Sequence, residues 1–283
     1  MKKIVVLITA IMCLIACEKP ISEDSTSSDV GTVTINFSPY QQTTRASSPD
    51  ELFTKMNLMF YQAGTVNRAF DKIKTQTIEE AEFGTISLTV PVGNYDVLCV
   101  GHSSVRNATL NKDKVAFTAY QNRKITDTFW NLSQLDVNEN ENTYSLILNR
   151  ATAMFRMIIT DETPDIVTQF KFDYSGGSAD FNPNNGEGVT NSKQSELREV
   201  NDDSTYEIYT FPKGTNKLKI TAYALDGNGT IISQRIFEEV PIKARCITSY
   251  EGKFFDGSTG TIGGSSLSIE VNGEWEETNS YTF

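Results

Sequence analysis

Short runs of alternating polar and apolar residues, separated by turn residues, recur along this chain of 283 residues. The first is Thr32 to Phe37, which places Val33, Ile35 and Phe37 on one face of an extended segment. Two later runs flank the Gly-Asn-Gly turn at 227–229, a pattern typical of a β-hairpin. No long segment has helical periodicity. The sequence therefore predicts an all-β fold of the β-sandwich class.

The amino terminus combines two lysines, an apolar run and the tetrad Leu14-Ile15-Ala16-Cys17. This is typical of a secretory signal peptide, and the run falls short of the roughly 20 apolar residues that a membrane-spanning helix needs. The tetrad resembles the bacterial lipobox, in which the signal is cut before the cysteine and lipids are attached to it. We expect residues 1–16 to be a lipoprotein signal peptide and Cys17 to be the lipidated first residue. An ordinary signal peptide and a metal site at Cys17 are the alternatives.

Composition limits where the rest of the chain can act. Residues 17–30 are rich in Ser, Asp and Thr, which predicts a flexible linker. The net charge of −11 becomes −13 once Lys2 and Lys3 leave with the signal, and such an acidic chain does not suit nucleic acid. Cys99 and Cys246 could form a disulfide, but each stands in a strand-like apolar run, which favours two buried thiols.

Strand signals after a polar middle stretch predict a domain boundary. The segment TYSLILNRATAMFRMIIT is long enough for one domain to end and another to begin. We place the boundary near Asn149. The prediction is an N-terminal β-sandwich domain over 31–149 and a C-terminal one over 150–283.

No group of residues predicts catalysis. His102 is the only histidine, and its neighbours Ser103 and Ser104 do not by themselves supply the geometry of a Ser/His catalyst. G-x-S-x-G, H-E-x-x-H and P-loop motifs are absent from the sequence. We expect no enzyme activity, no catalytic or metal-binding residues and no cofactor.

Aromatic residues leave carbohydrate binding open. A stacking platform for sugars is one interpretation of four of them, and packing within the sheets is the other. These four are Trp130, Trp275, Tyr206 and Tyr209.

Three segments, VPVGNYDVLCVGH, LILNRATAMFRMIIT and EEVPIKARCITSYEGKFF, together resemble the Bacteroidales fimbrillin-type lipoproteins. VPVGNYDVLCVGH resembles a strand-turn-strand of their first domain, and LILNRATAMFRMIIT resembles the segment that leads into their second. EEVPIKARCITSYEGKFF resembles a late strand pair with the usual pattern pikxnxxTxixGxff. Thr248, Gly252 and Phe255 fit that pattern, whereas the segment Ala-Arg-Cys at 244–246 departs from its usual Arg-Asn.

The resemblance implies two tandem transthyretin-like Greek-key β-sandwich domains in a surface lipoprotein of the outer membrane. It also implies a role in cell adhesion as a fimbrial subunit or anchor, with other fimbrial subunits and the outer membrane as partners. In polymerising members an arginine-specific protease cuts near the end of the first strand, and a strand from a neighbouring subunit fills the groove. Anchor members keep their first strand and their lipid.

Carried over to this chain, the cut would fall between Arg45 and Ala46, and the exchanged strand would carry Val33, Ile35 and Phe37. The alternative for Arg45 is a surface arginine in a loop. The tail with Tyr281 and Phe283 could extend to a neighbour or fold back. The alternative function is a monomeric glycan-binding surface lipoprotein with a β-sandwich fold. Host or bacterial surface glycans or proteins are further candidate partners.

Overall fold

The computed structural model describes residues 29–39, 49–71, 73–118, 125–257, 261–263, 268–270, 275 and 277–283. Regular structure in these residues is almost entirely β-strand, apart from the four-residue helix α1 (Pro49–Leu52). Within the same residues, no helix is long and apolar enough to cross a membrane. The prediction of an all-β fold is confirmed.

One seven-stranded sheet organises the first half of the chain, in the order β3-β2-β5-β8-β9-β1-β4. Strands β8 and β9 pair only through Phe129 with Arg150 and Trp130 with Asn149, so the sheet divides here into two layers. Apolar side chains from both layers enclose a single core, which we call the N-terminal core. The strands are β1 (Val30–Pro39), β2 (Lys55–Gln62), β3 (Lys74–Thr77), β4 (Thr85–Pro91), β5 (Gly93–His102), β8 (Thr128–Val137) and β9 (Glu141–Arg150).

Two five-stranded sheets form a sandwich in the second half, in the orders β14-β10-β17-β20-β19 and β13-β11-β15-β16-β18. Their inner faces share a core rich in aromatic side chains, which we call the C-terminal core. The predicted hairpin at 227–229 is confirmed, with Asp226 N–H donating to the Thr230 carbonyl over 3.0 Å. The strands are β10 (Ala153–Ile159), β11 (Val167–Ser175), β13 (Gln194–Glu199), β14 (Thr205–Thr210), β15 (Lys217–Asp226), β16 (Ile231–Pro241), β17 (Cys246–Gly252), β18 (Thr261–Gly263), β19 (Ser268–Glu270) and β20 (Glu277–Thr282).

A small third sheet joins the two halves. It has the order β12-β7-β6, where β6 is Thr109–Asn111, β7 is Lys114–Ala116 and β12 is Asp180–Phe181. A third core lies beside it and combines residues such as Leu98 with others such as Phe211. Strand pairing and a shared core therefore link the two segments that the predicted boundary near Asn149 separates.

The link between β4 and β5 differs from a hairpin. The sequence predicts two strands joined by the turn at 91–94, and both strands are present. They do not pair with each other, because β4 pairs with β1 whereas β5 pairs with β2 and β8. The turn carries the chain from one layer to the other, and the Tyr95 hydroxyl donates to the Pro91 carbonyl over 2.8 Å to brace it.

Both cysteines that the structure describes are buried thiols, as predicted. Cys99 lies in β5 within the N-terminal core, and Cys246 begins β17. Burial raises the pKa of the Cys99 thiol well above its ordinary value because the core disfavours the charged thiolate. Cys99 therefore acts as a small apolar core residue.

Candidate functional site: the first strand and its groove

The first strand buries alternate side chains along its whole length. Val33 and Ile35 are 0% exposed and Phe37 is 5% exposed, whereas Thr32 and Ser38 are exposed. The strand runs from Val30 to Pro39, which is longer than the predicted Thr32 to Phe37. The three apolar residues do share the buried face, as a two-residue period requires. Exchange of the strand stays a prediction.

Strand β1 is held on both edges by main-chain hydrogen bonds. It pairs in parallel with β9, where residues 32–39 lie opposite 141–148, and antiparallel with β4, where residues 30–36 lie opposite 91–85. Beyond the ladder, Phe37 N–H donates to the Gly84 carbonyl over 2.8 Å. Removal of β1 would therefore open a groove with a free strand edge on either side.

Apolar residues from the two flanking strands line the sides of this groove. Leu146 and Leu148 from β9 and Ile86 and Val90 from β4 belong to the same core as the inward side chains of β1. Sequence reasoning missed them as groove residues. Their alternating pattern marks them as strand residues, but nothing local indicates which strand they border.

A polar clamp fixes the start of β1. The side-chain amide of Asn142 donates to the carbonyls of Thr32, Asn138 and Asn140, over 3.3, 3.0 and 2.7 Å. Gly31 packs so closely here that a Cβ atom would lie 2.0 Å from the Asn138 carbonyl oxygen. A Cβ atom would collide with this carbonyl, so the close approach of the two backbones at the start of β1 requires glycine.

The two predicted processing points lie outside the described residues. Cys17 precedes residue 29, and both Arg45 and Ala46 fall between the end of β1 and the start of α1. The predicted cut therefore falls after the whole of β1 in sequence. Lipidation and cleavage remain predictions.

His102 lies at the end of β5, as expected for a strand-end residue, and is fully buried. Its Nε2 lies 2.8 Å from Asn57 Oδ1, and its Nδ1 accepts a hydrogen bond from Ser104 N–H over 3.1 Å. Burial, with a smaller contribution from the positive charge of Lys55, lowers the pKa of His102 to about 3. The imidazole is thus held neutral, and it hydrogen-bonds to a main-chain amide and to Asn57.

The four aromatic residues considered for sugar stacking do not form a common surface. Tyr206 is buried in the C-terminal core, and Tyr209 and Trp275 stack on each other in the core between the halves, with ring centroids 6.4 Å apart. Trp130 is half-buried and packs at 6.0 Å against Phe181. The platform interpretation is therefore wrong for three of the four, because their rings fill cores.

The carboxyl-terminal tail folds back on its own subunit. Strand β20 pairs in parallel with β17, and Phe283 N–H donates to the Glu251 carbonyl over 2.9 Å. Tyr281 stacks on Tyr250 at 4.6 Å. Of the two alternatives for the tail, the folded-back one is observed.

Comparison with known proteins gives a family. The model of the fimbrillin-A associated anchor proteins Mfa1 and Mfa2 matches residues 21–281. No relative is found among curated proteins.

Three solved structures are similar to this chain at low sequence identity. A candidate adhesin from Bacteroides ovatus has a TM-score of 0.49 and 14% identity, over 72% of this chain and 75% of that one. The fimbrial anchor protein Mfa2 from Porphyromonas gingivalis has a TM-score of 0.42 and 13% identity, over 72% and 81%. A fimbrial assembly protein from Parabacteroides distasonis has a TM-score of 0.40 and 11% identity, over 88% and 98%.

The assignment rests on the sequence match, which spans nearly the whole chain after the apolar amino terminus. It gives the chain a fimbrial or adhesion role. The resemblance found in the three sequence segments is confirmed. The chain belongs to the family of the fimbrillin-A associated anchor proteins Mfa1 and Mfa2.

Proposed function

We propose that this chain is a lipoprotein on the surface of the outer membrane, where it serves as a subunit or anchor of fimbriae and joins its neighbours by β-strand addition. One observation carries the proposal. Strand β1 lies between β9 and β4, is hydrogen-bonded along both edges, and contributes Val33, Ile35 and Phe37 to the N-terminal core. When β1 is present it fills the space between β9 and β4, and when β1 is removed that space becomes an open groove.

The energetics favour replacement of β1 over an empty groove. Burying each of the three side chains contributes about 1.5–3 kcal/mol. An empty groove would also leave the facing main-chain groups of β9 and β4 without their ladder partners. A strand from another subunit restores the main-chain hydrogen bonds, and it restores the apolar burial when its alternate side chains are apolar. This requirement makes strand addition selective for segments with apolar residues at alternate positions, as in the Val-x-Ile-x-Phe pattern of β1.

Lipid on Cys17 would attach the mature chain to the membrane. Each buried CH₂ of an acyl chain contributes about 0.8 kcal/mol, so stable anchoring needs more than one acyl chain. A lipobox cysteine typically carries several. The polar residues that follow, up to the start of β1, provide a spacer between the lipid and the fold.

Cleavage between Arg45 and Ala46 would decide between the two fimbrial roles. A chain that keeps β1 and Cys17 is an anchor, because its groove is filled and its lipid is retained. A chain that begins at Ala46 loses both together, since the cut follows β1. It would then depend on a donor strand and polymerise.

The test is the intact mass and the N-terminal peptide of the protein from its native cell surface. A lipid-bearing Cys17 on an uncut chain supports the anchor role and refutes processing at Arg45. A chain that begins at Ala46 supports a polymerising subunit. A chain with a free, unmodified Cys17 would contradict the lipoprotein proposal.

Matched variants make the cleavage test specific. Arg45→Lys keeps the charge but removes the arginine, so an arginine-specific cut should be lost. Arg68→Lys is the control, since Arg68 lies in the described fold and donates to the Leu110 carbonyl over 2.9 Å. An unchanged cut in Arg45→Lys would place the processing site elsewhere.

A further inference from the structure

Four exposed apolar side chains lie at one end of the sheet β13-β11-β15-β16-β18. They stand where strands of that sheet begin or end, namely just before β11, just after β13 and at the start of β16. We call these four residues the strand-end patch. Their exposed fractions are 57% for Ile166, 38% for Val200, 54% for Ile231 and 39% for Ile232.

Main-chain pairing sets the strand-end patch in a row. Val200 N–H donates to the Thr168 carbonyl of β11 over 3.2 Å. On the other side of β11, β15 ends at Asp226, and its Leu225 pairs with Ile231 of β16. Neighbouring strands lie about 4.8 Å apart, so the row from β13 to β16 is about 14 Å long. Single exposed apolar residues are normal on a protein surface, whereas several side by side mark an interaction surface.

The segments that meet at this end of the sheet are strongly acidic. They are 160–166, 199–204, 226–230 and 252–257, and together they contain eight Asp or Glu residues and a single basic residue, Lys253. Hydrogen bonds join them, since Phe254 N–H donates to Asp161 Oδ1 over 2.7 Å and Ile159 N–H donates to the Ser204 carbonyl over 2.9 Å. The acidic residues therefore surround the strand-end patch on a fixed framework.

Four of the eight carboxylates have roles within the fold. Asp161 accepts from main-chain amides and Asp226 from those of its own hairpin, whereas Glu199 accepts from the Gln169 amide and Asp256 pairs with Arg235. The other four are exposed and form no side-chain hydrogen bond or ion pair with the residues that the structure describes. These four are Glu162, Asp165, Asp202 and Asp203.

This combination specifies the chemistry of a partner. An apolar centre with a polar rim is the usual anatomy of a protein–protein interface. Free carboxylates in the rim attract Lys and Arg side chains and repel nucleic acid and other anionic surfaces. A second copy of the chain that approached through the same end would bring the same negative charges. A small cation would leave the apolar side chains in water.

We propose that the strand-end patch docks a basic segment of a partner polypeptide in which Lys or Arg alternates with apolar residues. The apolar side chains of the segment cover Ile166, Val200 and Ile231, and its cations bind the free carboxylates around them. The patch belongs to the sandwich of the second half, whereas β1 contributes to the N-terminal core. Docking here therefore does not depend on strand addition.

The test is calorimetry on the complete mature chain with a short peptide of alternating Lys and Leu as the probe. A Lys-Ser peptide keeps the charge without the apolar side chains, and a Glu-Leu peptide keeps the apolar side chains with the opposite charge. We expect the Lys-Leu peptide to bind at least about tenfold more tightly than either. Absence of Lys-Leu binding, or equal binding of either matched peptide, would overturn the proposal.

Variants at exposed positions locate the binding. Ile231→Ser removes apolar surface and the double variant Asp202→Asn with Asp203→Asn removes charge, and each should weaken Lys-Leu binding by about fivefold or more. Ile147→Ser is the matched apolar control, since Ile147 is 51% exposed on β9.

The matched charge control is Glu139→Gln with Glu141→Gln, two exposed carboxylates between β8 and β9. We expect both controls to bind the Lys-Leu peptide as the native chain does, with all variants melting near the native temperature. Equal losses in patch and control variants would show unspecific attraction to an acidic chain and refute the proposal. Self-association in sedimentation that Ile231→Ser abolishes would assign the patch to a second copy instead.

Discussion

Acid should destabilise this protein through its single histidine. Asn57 Oδ1 accepts from Ala108 N–H over 2.8 Å and lies 2.8 Å from His102 Nε2, which must therefore carry a proton. His102 Nδ1 accepts from Ser104 N–H. A second proton on the ring would place two donors against each other at Nδ1. It would also put a charge in a buried site near Lys55, which explains the lowered pKa.

The sign and size of the effect follow from linkage. The pKa of His102 is about 3 in the folded state against an ordinary value of 6.5, so the unfolded chain binds the proton first as the pH falls. The stability that the protein gains from a neutral His102 is fully present above about pH 6.5. It is lost as the pH falls from there to about pH 3. Each pH unit within this window lowers the free energy of unfolding by about 1.4 kcal/mol, so the loss at about pH 5 is about 2 kcal/mol.

Two measurements on tag-free protein check this. The chain has one histidine, so a single imidazole NMR signal reports its titration and its tautomer. Urea unfolding across the same pH range gives the free energy of unfolding for the native chain and for His102→Gln, which cannot titrate. We expect the two pH profiles to diverge by about 2 kcal/mol at about pH 5. Parallel profiles, or an imidazole that titrates near 6.5, would refute the reasoning.

Further predictions concern the free energy of unfolding in urea at neutral pH. Ile35→Ala should lower the free energy of unfolding by about 2–5 kcal/mol because Ile35 is fully buried. The exposed control Thr32→Ala should lower it by about 0.5 kcal/mol or less. Similar losses in the two variants would contradict the burial of one face of β1. Gly101→Ala should cost about 1–3 kcal/mol, since a Cβ atom would lie 2.8 Å from the Phe53 ring, and a neutral effect would mean that the ring can move.

Patterns within a few residues of each other were enough to predict several strands and one hairpin. The period of two in β1 is enough to place Val33, Ile35 and Phe37 on one face, because side chains of a strand alternate whatever its neighbours are. The turn at 227–229 likewise specifies a hairpin between adjacent runs. The partners of β1 carry no such signal, since Thr32 pairs with Glu141 on one side and Thr89 on the other. Those pairings depend on how distant segments pack.

The candidate sites divide in the same way. The sequence by itself determined the all-β class, the buried face of β1 and, through its resemblance to a family, the expected fimbrial role. Only the tertiary structure decided that Tyr209 and Trp275 fill a core, that the tail folds back on β17, and that Ile166, Val200 and Ile231 lie at one end of a sheet. The physical reason is that alternation and turn chemistry act over a few residues, whereas burial and the surface left exposed depend on contacts between segments far apart in the chain.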